Sequence, residues 1–229
     1  SRVTKRDPHS GFIAYVPGFM NAFMVGSILA DRRPQRRPVR EYPDVCVLVA
    51  SYNEAASITD TLKSLALQDY AGQVRVLVID DGSTDGSLEL APDAAARLAR
   101  PGMPMAVLPM VRNGGKSRAL NAGLAATREP LVVTVDGDSY LRTDALRLQI
   151  ERVLSERSGT VAAGGCVLAR NSRLNLLTRA QEWDYFHGIA AVKRMQSMYH
   201  GTLVAQGAFS LYTRESLEGV GGWAECVGE

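Results

Sequence analysis

The chain alternates short, almost wholly apolar runs with segments whose apolar residues recur every three to four positions. "VCVLVA" (45–50), "VRVLVID" (74–80), "PMAVLPM" (104–110) and "LVVTVD" (131–136) belong to the first kind and predict buried strands. Between them, "SYNEAASITDTLKSLALQ" sets Ile58, Leu62 and Leu65 at helical spacing, with Asn53 as the expected N-cap. "GSTDGSLELAPDAAARLAR" reads as a turn and helix, and "GKSRALNAGLAAT" as a helix. Strands alternating with helices imply βαβ units. The predicted fold class is therefore α/β, a mostly parallel sheet with helices on both faces. Residues 171–200 predict one long helix with Leu176, Ala180, Trp183 and His187 on one face, a face that more often packs than stacks against sugar.

A different pattern precedes the first strand. Residues 8–30 contain no Asp, Glu, Lys or Arg, and about 20 helical residues span a ~30 Å hydrocarbon layer. A membrane helix is expected over 11–30, after a flank of residues 1–10, although Pro17, Gly18 and Asn21 weaken it. A basic linker, 31–43, follows with Arg32, Arg33, Arg36, Arg37 and Arg40, against Arg2, Lys5 and Arg6 before the span. That asymmetry favours a cytoplasmic face for the domain that begins at residue 44.

Composition narrows the classes further. With 229 residues, 46% hydrophobic, the chain is long enough for one well-cored domain, and a net charge of +2 gives no reason to expect nucleic acid. Cys46, Cys166 and Cys226 are odd in number and far apart, as expected of reduced thiols. His9, His187 and His200 have no metal-ligand spacing, which disfavours zinc.

The chemistry lies where the strands stop. Ser51-Tyr52-Asn53-Glu54 follows the first, Asp80-Asp81-Gly82-Ser83 the second and Asp136-Gly137-Asp138 the fourth. Open parallel sheets bind ligands beyond the carboxyl ends of their strands. Carboxylates two apart in extended chain share a side, and a hard divalent cation takes one or two such oxygens while substrate phosphates and water complete its shell. Asp136 and Asp138 suit a metal–diphosphate complex on that ground. Lys116, at a helix start, can place a point charge and helix-end N–H groups near phosphate. Sharper motifs fail. "GGKS" ends like a phosphate-binding loop, but its first glycine would fall on Met110. "DGSTDG" begins like a calcium loop, but its twelfth position is Pro92. No G-x-G-x-x-G follows a strand, so a dinucleotide enzyme is disfavoured.

"VLVASYNEAASITDTLKSLALQDY", "VLVIDDGSTDGS", "NGGKSRALNAGL" and "VVTVDGDSYL", in this order, resemble the family 2 glycosyltransferases of GT-A fold. The nearest resemblance is to membrane-bound processive synthases of poly-N-acetylglucosamine, chitin oligosaccharide, hyaluronan and cellulose. It covers roughly residues 45–229, and the expected domain runs from 44 to 229. It implies that Ala50, Tyr52 and Glu54 line the nucleotide end, that Asp81 accepts a hydrogen bond from uracil and that Lys116 sits beside the nucleotide. Asp136 would contact ribose or metal, and Asp138 would bind the Mg²⁺ or Mn²⁺ of the diphosphate. "VAQGAFSLYTRES" (204–216) resembles the segment under the donor sugar and acceptor, with Gly207 and Ala208 as close-approach positions.

The activity so implied is inverting transfer from a UDP-sugar, UDP-N-acetylglucosamine first among them, to a β-linked glycan acceptor at the cytoplasmic face of the inner (plasma) membrane. The resemblance leaves room for an accessory export subunit. In the family the general base is the Asp of a "T-E-D"-like motif beyond a "GG" plus aromatic. Here "GVGGWAECVGE" supplies Gly221, Gly222, Trp223 and Glu229, so the base aspartate is expected just past Glu229. Trp223 falls on the acceptor side. Two other readings remain open: a sugar nucleotidyltransferase, which would carry a glycine-rich signature where this chain has "SYNEAAS", and a nucleotide-sugar-binding or assembly subunit without catalysis.

Overall fold

The computed structural model describes residues 8–30, 39–155, 159–166, 168, 174–198 and 207–225. They fall into two compact units, residues 36–165 with 205–229, and residues 1–35 with 166–204.

The larger unit is built on one six-stranded sheet. Its strands are β1 (Val45–Ser51), β2 (Val74–Asp80), β3 (Met105–Pro109), β4 (Leu131–Asp136), β5 (Ala162–Gly164) and β6 (Phe209–Thr213), in the order β3-β2-β1-β4-β6-β5. β3, β2, β1 and β4 are mutually parallel, whereas β6 runs antiparallel to both β4 and β5. The sheet is therefore mixed, and its parallel part is the part the alternating sequence pattern predicts. The period-2 geometry of strands sorts their side chains into two cores. Val45, Val47, Val49, Val74, Val76, Val78 and Val133 join a core with α2 (Ile58–Ala66), α3 (Ser87–Leu98) and α5 (Ala145–Ser155). Cys46, Leu48, Leu77, Ile79 and Val132 face α4 (Lys116–Ala125) and Leu217 of α8 (Arg214–Gly219) on the other side. Burial pushes the Cys46 thiol up to about 12, so it behaves as a small core residue.

α4 lies close on the sheet because Gly123 has no side chain. A Cβ there would stand 2.9 Å from Ile79 Cδ1 and 3.0 Å from Leu48 Cδ2, both fully buried. At its far end Arg214 ties the later strands to the same helix. Its guanidinium donates to the Glu129 carbonyl at 2.7 Å, the Leu124 carbonyl at 3.1 Å and the Thr127 hydroxyl at 2.8 Å.

Asn53 does not cap a helix. α2 starts later, at Ile58, with Ser57 before it, and Asn53 takes a left-handed φ of 57° that lets its Oδ1 accept the Thr84 N–H at 2.8 Å. The loop after β1 is thereby zipped to the loop after β2. Ser83 Oγ accepts from Asn53 N–H, Ser87 Oγ from Glu54 N–H and Asp85 Oδ2 from Ala55 N–H.

The smaller unit holds α1 (Pro8–Ala30), α6 (Leu176–Tyr185) and α7 (Val192–Met198), with α7 packed on α1. The single long helix expected over 171–200 is interrupted by a π-helical segment, Phe186–Ala191, between α6 and α7. Asn175 caps α6 by accepting the Thr178 N–H at 2.9 Å. Trp183 is exposed rather than part of a packing core. The side chain of His187 lies outside the described residues. α1 is continuous and carries Pro17, yet no helix among the described residues is long and apolar enough to cross a membrane. The polar and helix-weakening positions Pro17, Gly18 and Asn21, with Ser10 and Ser27, dilute the apolar run that the expectation rested on.

Candidate functional site

At the carboxyl ends of β1, β2 and β4 the larger unit opens into a cavity of about 580 Å³. Ala50, Tyr52, Glu54, Asp81, Lys116, Asp136 and Asp138 all line it, so seven residues singled out in the sequence meet in one place. Each arrives by a short path. β1 ends at Ser51 and delivers Ala50, Tyr52 and Glu54, β2 ends at Asp80 and delivers Asp81, and β4 ends at Asp136 with Asp138 two residues on. Lys116 is the first residue of α4.

The two consecutive aspartates diverge. Asp81, although buried, lines the cavity, and its carboxylate accepts the Gly114 N–H at 3.0 Å and the Gly115 N–H at 2.8 Å. It therefore shapes the loop that presents Lys116, with Gly115 at a positive φ of 87° making the turn into α4. Asp80 turns inward. Its Oδ2 accepts the Ser83 N–H at 3.0 Å, while Oδ1 and the nearby strand-end hydroxyl Ser51 Oγ are buried without a protein partner.

Lys116 Nζ donates to Asp136 Oδ1 at 2.5 Å, a charge-assisted contact between two partly exposed groups. Gly207 explains how the lysine fits. A Cβ on Gly207 would collide with Lys116 Nζ, so a side chain there would displace the lysine from the place it holds. The next residue, Ala208, accepts the Asp136 N–H at 3.4 Å on entry to β6. Gly137 closes against β1 by donating its N–H to the Ala50 carbonyl at 2.9 Å.

Asp138 is the exposed carboxylate of the set, and it makes no hydrogen bond or ion pair to another described residue. Among the described residues no group of three or more His, Cys, Asp or Glu side chains is placed to hold a metal ion. The donor set therefore does not build a closed cation site. It fits a hard divalent ion that takes one or two carboxylate oxygens and draws the rest of its shell from water and a bound diphosphate.

Gly207 and Ala208 touch Lys116 and Asp136 without lining the cavity, and two further expected residues stand apart. Trp223 does not line the cavity; its ring meets Tyr212 of β6 edge-on at 5.7 Å. Glu229 lies outside the described residues. Sequence reasoning missed Glu225, which lines the cavity from the segment after α8, and the loop residues Asn113, Gly114 and Gly115. The first had no local signal, because its approach depends on contacts from more than a hundred residues earlier.

A mixed sheet whose parallel strands end in a lysine–aspartate pair, an amide-bound aspartate and the exposed Asp138 defines an α/β domain with its cavity where open parallel sheets bind ligands. Residues 46–221 match Glycosyl transferase family 2, and the chain belongs to that family. Among curated relatives it is similar to the poly-beta-1,6-N-acetyl-D-glucosamine synthases of Staphylococcus epidermidis (26% identical) and Staphylococcus aureus (27%), each over 93% of this chain and 52% of the relative. The chain thus spans about half the length of the curated relatives it matches. Among solved structures it is similar to the mannosyltransferase PcManGT from Pyrobaculum calidifontis in complex with GDP-Man and Mn²⁺, with a TM-score of 0.67 and 26% identity over 94% of this chain and 59% of that one.

Proposed function

We propose that the protein transfers a sugar from a UDP-sugar, N-acetylglucosamine first among the candidates, to a growing β-linked glycan with inversion. One observation carries the reading: Asp81, Lys116, Asp136 and Asp138, from three separate chain segments, gather on one cavity of about 580 Å³, within the range of small-ligand pockets. Family membership and the likeness to poly-N-acetylglucosamine synthases support the substrate class.

The roles follow from chemistry. Tyr52 and the Asp81 loop form the base end, where Asp81 keeps lone pairs beyond those taken by Gly114 and Gly115. Lys116, with the first N–H groups of α4, favours the negative diphosphate. Asp138, joined by Asp136 when the lysine turns to phosphate, would hold a Mg²⁺ or Mn²⁺ ion, which when bound acts as a Lewis acid toward the leaving diphosphate. The acceptor hydroxyl needs a general base within hydrogen-bond reach, and the aspartate expected just past Glu229 is the group proposed for it.

The proposal extends to place. The uncharged 8–30 segment, the exposed Tyr15, Phe19, Met20, Phe23 and Leu29 on α1, and the arginine-rich linker support attachment to the cytoplasmic face of the membrane. Export of the glycan through an accessory subunit is part of the same reading.

Calorimetric titration with UDP and with GDP, each with and without Mn²⁺, tests the donor site. The expected result is Mn²⁺-dependent UDP binding that Asp138→Asn weakens at least about 10-fold, the ~1.4 kcal/mol of one charged contact. A preference for GDP would move the donor class toward that of the archaeal neighbour, and binding indifferent to metal would remove the role of Asp138. Turnover of UDP-N-acetylglucosamine by the full-length protein separates a transferase from a subunit that only binds.

A further inference from the structure

Asn121 lies on α4, five residues beyond Lys116, and does not line the cavity. Its side-chain amide forms a closed pair with one backbone residue far along the chain: Nδ2 donates to the Trp223 carbonyl at 2.8 Å, and Oδ1 accepts the Trp223 N–H at 2.8 Å. The chain around that residue is shaped for the contact. Gly221 and Gly222 take positive φ values of 80° and 84°, and the Gly222 N–H returns to the Leu217 carbonyl at 2.8 Å. A Cβ on Gly222 would collide with Asn121 Oδ1. The Trp223 ring is held edge-on by Tyr212. Two residues later Glu225 stands on the cavity wall that Lys116 and Asp138 also line.

We infer that Asn121 is a positioning residue: by gripping Trp223 at both backbone atoms it sets where Glu225 meets the donor cavity. The inference rests on the glycosyl-transfer reading and deepens it. One helix then serves both reactants, Lys116 at its start facing the nucleotide diphosphate and Asn121 in its middle aligning the carboxylate-bearing segment. No hydrophobic contact could replace the amide, because Trp223 presents a donor and an acceptor side by side. Asp at 121 would keep the acceptor but place a carboxylate oxygen against the Trp223 carbonyl.

The test uses the full-length protein with Asn121→Ala, Asn121→Asp and Gly222→Ala. Hydrogen exchange reads the grip directly: amides of 220–225 should lose protection about 10-fold or more in all three variants, while those of 117–125 in α4 keep theirs, which shows that the domain is folded. In steady-state transfer from UDP-N-acetylglucosamine, kcat should fall about 10- to 100-fold, the scale of an ångström-level misplacement, with the dissociation constant for UDP changed less than about twofold. The double variant Asn121→Ala/Gly222→Ala should lose no more than the worse single one. Unchanged exchange at 220–225, or unchanged kcat despite faster exchange, would overturn the inference while UDP binding by the wild type kept the donor-site reading intact. A wild type that binds no UDP would instead remove that reading, and this role with it.

Discussion

Asp80 and Asp81 are neighbours in sequence and both are buried, yet only Asp81 reaches the cavity. Alternation along an extended chain is the cause: successive side chains leave on opposite sides, so one carboxylate braces the Ser83 turn and the other receives the Gly114 and Gly115 amides. The same close geometry makes Gly207 sensitive. Gly207→Ala should push the Lys116 ammonium out of the place from which it would reach the diphosphate and weaken UDP binding about 10-fold, as misplacing one charged contact implies; titration against the wild type, with circular dichroism to confirm folding, measures it. Residue by residue, what could be read from sequence was whatever a strand end dictates. Asp136 and Asp138 close an apolar run, and Lys116 follows two glycines, so their place at the sheet edge was legible. The Lys116–Asp136 pair, the grip of Asn121 on Trp223 and the arrival of Glu225 were not, since each joins segments whose separation in sequence carries no periodic signal.

At the scale of elements, α4 is the piece whose seating decides the site. Gly123→Val would press a branched side chain on Ile79 and Leu48, both locked in the core, and should cost about 2–3 kcal/mol; chemical denaturation gives the value. The loops after β1 and β2 form the second such element. The Ser87 hydroxyl first, and then the Ala55 N–H, hold the Asp85 carboxyl below the usual carboxylate range. A carboxyl depressed in the folded state stabilises it above the unfolded value of about 3.9 and loses that contribution as pH falls through the folded value. Wild type should therefore melt higher than Asp85→Asn at neutral pH, and the two melting curves should converge below about pH 4. These elements differ in how they announce themselves. β2 and β4 match their apolar runs end to end, whereas the start of α2 moved to Ile58 because Asn53 spends its side chain on Thr84. The π-helical segment after Tyr185 left no mark in the apolar spacing.

Across the whole molecule, the parallel half was legible and the antiparallel half was not. β5 has three residues, Ala162–Gly164, too few to show a pattern, and β6 begins directly after two small residues that read as a close-approach loop. Besides the pairing of β6 with β4, Arg214 holds that half in place by bonding Leu124 at the end of α4 and Thr127 and Glu129 in the turn that follows. Arg214→Met keeps most of the apolar stem and strands those acceptors, so it should lower unfolding stability by about 2–4 kcal/mol, and hydrogen exchange should show β6 opening before β1. The strand order also has a direction in time. β1 through β4 occupy one unbroken stretch, residues 45–136, and the strands that flank them on the other side, with the Trp223 segment, come only after residue 161. Because chains emerge from the ribosome N-terminus first, the parallel half with its strand-end carboxylates is translated whole before the half that brings Gly207 to Lys116, Ala208 to Asp136 and Glu225 to the cavity exists.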